Sequence, residues 1–138
     1  AGTIVNVSSG LGYMPSRMLP AYATTKAAVL MLNDCIRAEL ADDSIHVVSV
    51  CPGVIDTPIT RATLFVGVDS AEQERRRDSA KKLYQRRNLP PRAVADAIMQ
   101  AIRKRKDEVP VGIEARVGRW ITYVPGMARR LAKMDVKM

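Results

Sequence analysis

Short apolar runs alternate with longer, more polar segments along this chain. Two of the runs, residues 3–8 (TIVNVS) and 45–50 (IHVVSV), are rich in β-branched residues and are followed by turn residues, as buried strands are. Residues 107–113 (DEVPVGI) predict a third, shorter strand. Because the strands are nearly continuous in apolar residues, the pattern predicts an α/β fold with a parallel sheet covered on both faces.

The segments between the strands predict helices. Residues 20–41 are rich in Ala, Leu and Met, and Pro20 suits a first helical turn. A strand, a helix and a second strand in this order predict a right-handed parallel βαβ unit. Further helices are predicted over 70–87, over 89–106 and over parts of 114–138, a basic tail that Pro125 and Gly126 interrupt.

The length and composition indicate one compact domain. The chain has 138 residues, of which 47% are hydrophobic. No apolar run reaches the ~18 residues of a membrane-spanning helix, and a cytoplasmic location is expected. No leader pattern is visible, which says little about the location of a longer protein. Because the chain opens directly on a strand without an initiator Met, we expect it to be a piece of a longer protein.

The cysteines and the single histidine do not predict a metal site. Cys35, Cys51 and His46 lack the spacing of a zinc ligand set, and two cysteines in an α/β pattern are more often reduced core thiols than a disulfide. We therefore expect no metal.

Positive charge is concentrated in one segment. Residues 61–106 carry 13 Lys/Arg against 5 Asp/Glu, and the rest of the chain carries 9 of each. The run EQERRRDSAKKLYQRR (72–87) is typical of a solvated helix face, although an acidic lipid or a cofactor phosphate is an alternative partner. Nucleic acid is not expected, because Tyr84 is the only aromatic residue near the run and a stacking platform needs several.

A glycine-rich turn follows the first strand in IVNVSSGLGYMP (4–15). A dinucleotide-phosphate loop would need a third glycine where Pro15 stands, and an acidic residue about twenty positions further on. The third glycine is missing, so a phosphate loop is disfavoured. Ligands of parallel α/β sheets bind beyond the carboxyl ends of the strands, and a second loop, CPGVIDT (51–57), leaves the next strand at that edge.

Tyr22 and Lys26 lie four residues apart on the predicted first helix, so they share one face. A tyrosine has an ordinary pKa of about 10, and an ammonium one turn away lowers that pKa toward the range useful for acid–base chemistry. Because one such pair can arise by chance among four tyrosines, its context matters. Ser9 lies 13 residues before Tyr22, at the mouth of the first strand.

In order and spacing, "IVNVSS", "YATTK" and "CPGVIDT" closely resemble the short-chain dehydrogenase/reductase family over roughly residues 1–112. The resemblance implies the C-terminal half of a Rossmann-type, doubly wound parallel sheet, with residues 113–138 as a basic helical extension. It implies an NAD(P)-dependent oxidoreductase that interconverts a carbonyl and an alcohol. Only the nicotinamide side of NAD or NADP would meet this chain, because the family's glycine-rich cofactor loop belongs upstream.

The resemblance also assigns roles to residues. Ser9 would hydrogen-bond the substrate oxygen, Tyr22 would transfer the proton, and Lys26 would hold the nicotinamide ribose and tune the tyrosine. Further cofactor contacts would come from Pro52, Gly53, Ile55 and Thr57, and substrate contacts from Gly10, Leu11 and Leu64. Taken singly, Ser9 would be a turn residue and Thr57 a helix cap, but their shared register favours the functional interpretation.

A closer likeness concerns PSRMLPAYATTKAAVLML and KLYQRRNLPPRAVADAI, which are similar to dehydrogenase domains fused after an epoxide-hydrolase-type α/β-hydrolase in actinobacteria. The family implies a homo-oligomer, a dimer or tetramer. The alternative function is a non-catalytic Rossmann-type binding or structural module. The isolated chain is expected to be inactive, because half of the cofactor site would be missing.

The tail combines apolar and basic residues in a way that is typical of an interfacial helix. Its apolar residues are Trp120, Ile121, Tyr123, Val124, Met127 and Leu131, and they are interleaved with the basic residues Arg116, Arg119, Arg129, Arg130 and Lys133. The segment from Leu64 to Arg87 likewise begins apolar and turns basic. A helix packed on the sheet or a subunit contact is the ordinary alternative. The interfacial interpretation predicts a lipophilic alcohol or ketone as substrate, an anionic membrane surface as partner and a location peripheral to the membrane.

Overall fold

The computed structural model describes residues 1–59, 66–87 and 89–133. Its sheet consists of three parallel strands in chain order, β1 (Gly2–Val7), β2 (Ile45–Pro52) and β3 (Glu108–Val111). The register places Val5 opposite Val48 and Val50 opposite Val109. The three predicted strands are confirmed to within two residues at each end.

Helices of the described residues flank these strands. They are α1 (Pro20–Glu39), α2 (Ser70–Arg87), α3 (Pro91–Lys104), α4 (Ile113–Thr122) and α5 (Met127–Lys133), with a short 3-10 turn at Gly10–Tyr13. Pro20 and Pro91 each occupy a first helical turn, where the missing N–H costs nothing. Gly126, at a φ of 76°, separates α4 from α5 at the predicted interruption.

One face of the sheet is apolar and is covered by α3. Val48 and Val50 of β2 are fully buried there. The residues of α3 that pack against them recur with the spacing of one helix face, at Val94, Ala97, Ile98 and Ala101. This packing forms the main hydrophobic core.

The opposite face is covered by α1 through a polar network. Asn33 of α1 is fully buried, donates from Nδ2 to Ser49 Oγ at 2.6 Å and accepts at Oδ1 from Asn6 Nδ2 at 2.6 Å. The Arg37 guanidinium donates to the Val47 carbonyl at 3.1 Å and to Ser49 Oγ at 2.9 Å. Helices therefore cover both faces, which confirms the predicted doubly wound parallel α/β sheet.

β1 is an edge strand of this sheet. It pairs with β2 on one side, and no strand within residues 1–59, 66–87 or 89–133 pairs with its other side. Ile4 and Val7 are exposed on it. An open apolar edge of this kind is one that proteins normally cover. None of the described helices is long and apolar enough to cross a membrane.

Candidate active site

The carboxyl end of β1 is hydrogen-bonded to both β2 and α1. The backbone N–H of Ser8 donates to the Val50 carbonyl at 2.7 Å, and its hydroxyl donates to the Lys26 carbonyl at 2.7 Å. These two bonds bring the carboxyl ends of β1 and β2 and the first turns of α1 together. Ser9, the next residue, is therefore held at the point where the three elements meet.

Ser9 begins the 3-10 turn. It is buried, its backbone is extended, and its Oγ accepts from the Leu11 N–H at 3.2 Å. This is the turn geometry that serine favours. A hydroxyl that accepts one bond still has its own proton to donate and a second lone pair, so Ser9 can also bond a substrate oxygen. Its role toward a substrate stays a prediction.

Tyr22 and Lys26 lie together on α1, as their spacing predicts. The Lys26 ammonium is 5.7 Å from the centroid of the Tyr22 ring, a cation–π distance, and donates to the Val7 carbonyl at 3.2 Å. The tyrosine is 38% exposed. The ammonium is thus anchored to the end of β1 beside a phenol that is open to a ligand.

The glycines of the turn allow close backbone contacts. A Cβ on Gly10 would lie 3.0 Å from both Cα and Cβ of Ala115 in α4, and one on Gly12 would lie 3.1 Å from the Lys26 carbonyl. Gly10 therefore lets the turn press against α4, and Gly12 lets it press against α1. A groove of about 350 Å³ runs between the turn and the start of α1, and it is lined by Gly12–Ser16 and by Pro20, Ala23, Thr24 and Ala27.

The Pro-Gly loop after β2 is held by β3 and by the segment before α3. Gly53 donates its N–H to the Val111 carbonyl at 2.7 Å, and Asp56 donates its N–H to the Leu89 carbonyl at 2.9 Å. Ile55 is buried and Thr57 is half-buried. Pro52 ends β2, so the predicted cofactor-contacting residues follow the strand next to β1. Leu64, a predicted substrate contact, lies outside the described residues.

Sequence reasoning missed a polar cluster beside this site. The Tyr13 hydroxyl donates to Glu108 Oε1 at 2.7 Å, and Arg119 Nε forms an ion pair with the same oxygen. Burial, with Cys51 and Glu108 close by, raises the pKa of Tyr13 above its ordinary value, and burial raises the pKa of the Cys51 thiol to about 11. The cluster connects the 3-10 turn to β3 and α4. No sequence signal links residues 13 and 108.

The basic helix α2 also reaches the neighbourhood of the site. Arg87, in its last turn, forms an ion pair with Glu114 at the start of α4. Burial raises the pKa of Tyr84 above its ordinary value, and the proximity of Tyr22 adds to that effect. No cluster of three His, Cys, Asp or Glu residues suited to a metal occurs among the residues that the structure describes.

These elements provide the parts of an acid–base site. An open phenol, an ammonium one turn away and a serine hydroxyl all lie around the carboxyl end of β1, next to the loop that follows β2. A phenol can pass a proton to or from an oxygen, and a neighbouring ammonium stabilises the phenolate that remains.

Comparisons with known proteins converge on one family. The family model described as short chain dehydrogenase matches residues 1–64. The "Probable oxidoreductase EphD" of Mycobacterium tuberculosis is 42% identical over 138 residues, which are 98% of this chain and 23% of that protein. The "2-(R)-hydroxypropyl-CoM dehydrogenase" of Xanthobacter autotrophicus is 34% identical over 100 residues, or 72% of this chain and 37% of that protein.

A solved structure shares the fold as well. A short chain dehydrogenase from Burkholderia cenocepacia in complex with NADP superposes with a TM-score of 0.72 at 26% identity, over 97% of this chain and 48% of that one. This chain therefore spans about a quarter of EphD and about half of the solved dehydrogenase.

Proposed function

Because the chain belongs to the short-chain dehydrogenase family, we propose that it carries the proton-transfer half of a nicotinamide-dependent oxidoreductase site. The reaction is the interconversion of a carbonyl and an alcohol. The observation that supports it most directly is the placement of the Lys26 ammonium between the Tyr22 ring, at 5.7 Å, and the Val7 carbonyl, at 3.2 Å.

Tyr22 moves the proton. In the reducing direction its phenol gives a proton to the carbonyl oxygen, and in the oxidising direction the phenolate takes the proton of the alcohol. Lys26 stabilises the phenolate by its charge. The Ser9 hydroxyl donates to the same substrate oxygen, because its bond from the Leu11 N–H leaves the hydroxyl proton available. Gly10 and Leu11, in the same turn, contact the substrate.

NAD or NADP, when bound, supplies or accepts the hydride. The residues present fit its nicotinamide end. An ammonium has three donors and Lys26 uses one of them on Val7, so it can also bond ribose hydroxyls. Pro52, Gly53, Ile55 and Thr57 follow the adjacent strand and would contact the nicotinamide. The NADP named with the Burkholderia cenocepacia structure supports this proposal.

We also propose that the full-length protein forms a homo-oligomer through α1. Met31 and Leu32 on this helix are both more than half exposed, although α1 is otherwise bound to the sheet through Asn33. Two adjacent exposed apolar side chains would be covered in a dimer. Sedimentation of the full-length protein tests this, and a monomer at micromolar concentration contradicts it.

The proposed reaction is tested with Tyr22→Phe in the full-length protein, assayed with a panel of ketones and secondary alcohols. Loss of the phenol removes the proton but keeps the ring, so the chemical step should fall about 10²–10⁴-fold. Cofactor affinity, measured by fluorescence titration, should change little. Lys26→Met should lower both the rate of the chemical step and the cofactor affinity, because in the proposed site Lys26 contacts both the cofactor and the phenol.

Tyr123→Phe is the matched control, since it removes a phenol that the proposed site does not use. If Tyr22→Phe keeps near-wild-type turnover on every accepted substrate, Tyr22 is not the proton donor. If the wild type binds NAD(P)H but turns over nothing, the non-catalytic Rossmann-type module is the better description.

A further inference from the structure

The outer face of α4 and α5 is apolar and open to solvent. Ile113 is 61% exposed, Val117 50% and Trp120 74%. The exposed apolar residues continue through the turn and into α5 at Tyr123, Val124, Met127 and Leu131. We call these seven residues the apolar stripe. A stripe of this length exceeds the scattered exposed apolar residues of an ordinary surface.

The stripe lies opposite the side of α4 that packs on the rest of the described residues. α4 already buries its other side, where Ala115 and Gly118 are packed against the 3-10 turn. The spacing of Ile113, Val117 and Trp120, four and then three residues, places them on one side of α4 and away from that buried side. The helix is therefore amphipathic in the reverse sense, with small residues inward and large apolar ones outward.

The charge around the stripe is positive. Arg116, Arg129, Arg130 and Lys133 are exposed beside it. Glu114 is the only acidic residue between 113 and 133, and it is engaged with Arg87. An amphipathic surface with large apolar residues at its centre and Lys/Arg around them is suited to the interface of an anionic bilayer.

We propose that the apolar stripe and its four flanking basic residues dock the protein on an anionic lipid bilayer. Charge complementarity favours the bilayer over a second copy of this chain. A two-fold interface formed by the stripe would gather the basic residues of both copies in one interface, whereas anionic headgroups neutralise them.

Docking in this way would place the site close to the membrane surface. The buried side of α4 contacts Gly10 in the turn after Ser9, and Gly53 lies against the start of the same helix. If the protein has the proposed function, its substrate is a lipophilic alcohol or ketone that reaches the site from the bilayer.

Vesicle co-sedimentation of the full-length protein, without substrate or cofactor, tests the docking. Vesicles of phosphatidylcholine alone are compared with vesicles that also contain phosphatidylglycerol, over a range of salt concentrations. We expect binding to the anionic vesicles that weakens as salt rises. Each basic residue near an anionic surface raises the binding affinity about fivefold, so the double variant Arg129→Gln/Arg130→Gln should bind the anionic vesicles about 30-fold more weakly. Trp120→Ser should bind about tenfold more weakly.

Two matched controls lie on α3, where exposed residues of the same kind occur. Arg103→Gln/Lys104→Gln removes the same charge, and Met99→Ser removes an exposed apolar side chain. Both should bind like the wild type, and circular dichroism should show every variant folded. Equal partitioning to neutral and anionic vesicles, no binding to either, or equal losses in tail and control variants would overturn the proposal.

A self-association without lipid that Trp120→Ser abolishes would also overturn it, because a second copy would then be the occupant. The docking result does not depend on turnover, so it is separable from the test of Tyr22. If docking is found and turnover is not, the membrane surface stands and the proposed reaction fails.

Discussion

Gly10→Ala should destabilise the protein through a single contact. The added methyl would lie 3.0 Å from Cα and Cβ of Ala115, whereas carbon atoms pack best at about 3.5–4.0 Å. Ala115 is fully buried in α4, and one of the two opposing atoms is backbone, so no rotamer change can relieve the overlap. The backbone of Gly10 is not in the left-handed region, so the effect is steric and not conformational.

The expected cost is that of overpacking, about 1–3 kcal/mol. With a denaturant slope of about 2 kcal/mol per molar urea, a loss near 2 kcal/mol lowers the urea midpoint by about 1 M and leaves the slope unchanged. Unfolding of the full-length protein followed by circular dichroism measures this shift. Turnover should also fall, because the steric overlap with Ala115 can be relieved only if the turn that begins at Ser9 moves away from α4.

Gly118→Ala is the matched control on the same interface. Its added methyl would meet the Gly10 carbonyl oxygen at 3.4 Å and Tyr13 Cβ at 3.6 Å, which are ordinary contacts. Because alanine is also the better helix former, this variant should be neutral or more stable by up to about 1 kcal/mol. In Gly10→Ala, the further change Ala115→Gly should cost less than it does in the wild type. A Gly10→Ala variant as stable as wild type would refute the reasoning.

Three further predictions concern the fold and its completeness. Asn33→Ala should cost about 1–3 kcal/mol in the free energy of unfolding, because it removes the acceptor of the Asn6 amide and one of the two donors to Ser49 Oγ. The neighbouring exposed Asp34→Ala should cost less than about 1 kcal/mol, and equal urea midpoints for the two variants would contradict this. The folded state raises the pKa of Cys51 from 9.0 to about 11, so it holds the thiol proton more tightly than the unfolded chain does. Stability that is present below about pH 9 should therefore be lost as pH rises toward about 11. Cys51→Ala should make that decline shallower, and an unchanged pH profile of the urea midpoint would count against it. The isolated 138-residue chain should show no NAD(P)H turnover in a spectrophotometric assay, because it offers only the nicotinamide half of the proposed site; steady turnover by the purified chain would disprove this.

The sequence was sufficient for features that depend on neighbouring residues. The β-branched runs located β1 and β2, and the Pro125–Gly126 break located the gap between α4 and α5. The four-residue spacing of Tyr22 and Lys26 implied their contact, because one helical turn determines it. Each of these depends on backbone preferences over a few residues, which the order of amino acids specifies directly.

The tertiary structure alone decided which distant residues meet. Tyr13 and Glu108 are 95 positions apart, and only the path of the chain through β2, α3 and β3 brings the phenol to the carboxylate. The contact of Gly10 with Ala115 depends in the same way on where α4 packs after β3. Alternation in the tail indicated an apolar side for α4, but not that this side faces solvent while Ala115 and Gly118 face the site. Hydrophobic spacing defines the faces of a helix, whereas the choice of buried face depends on how closely each can approach its neighbours, and small residues allow the closest packing.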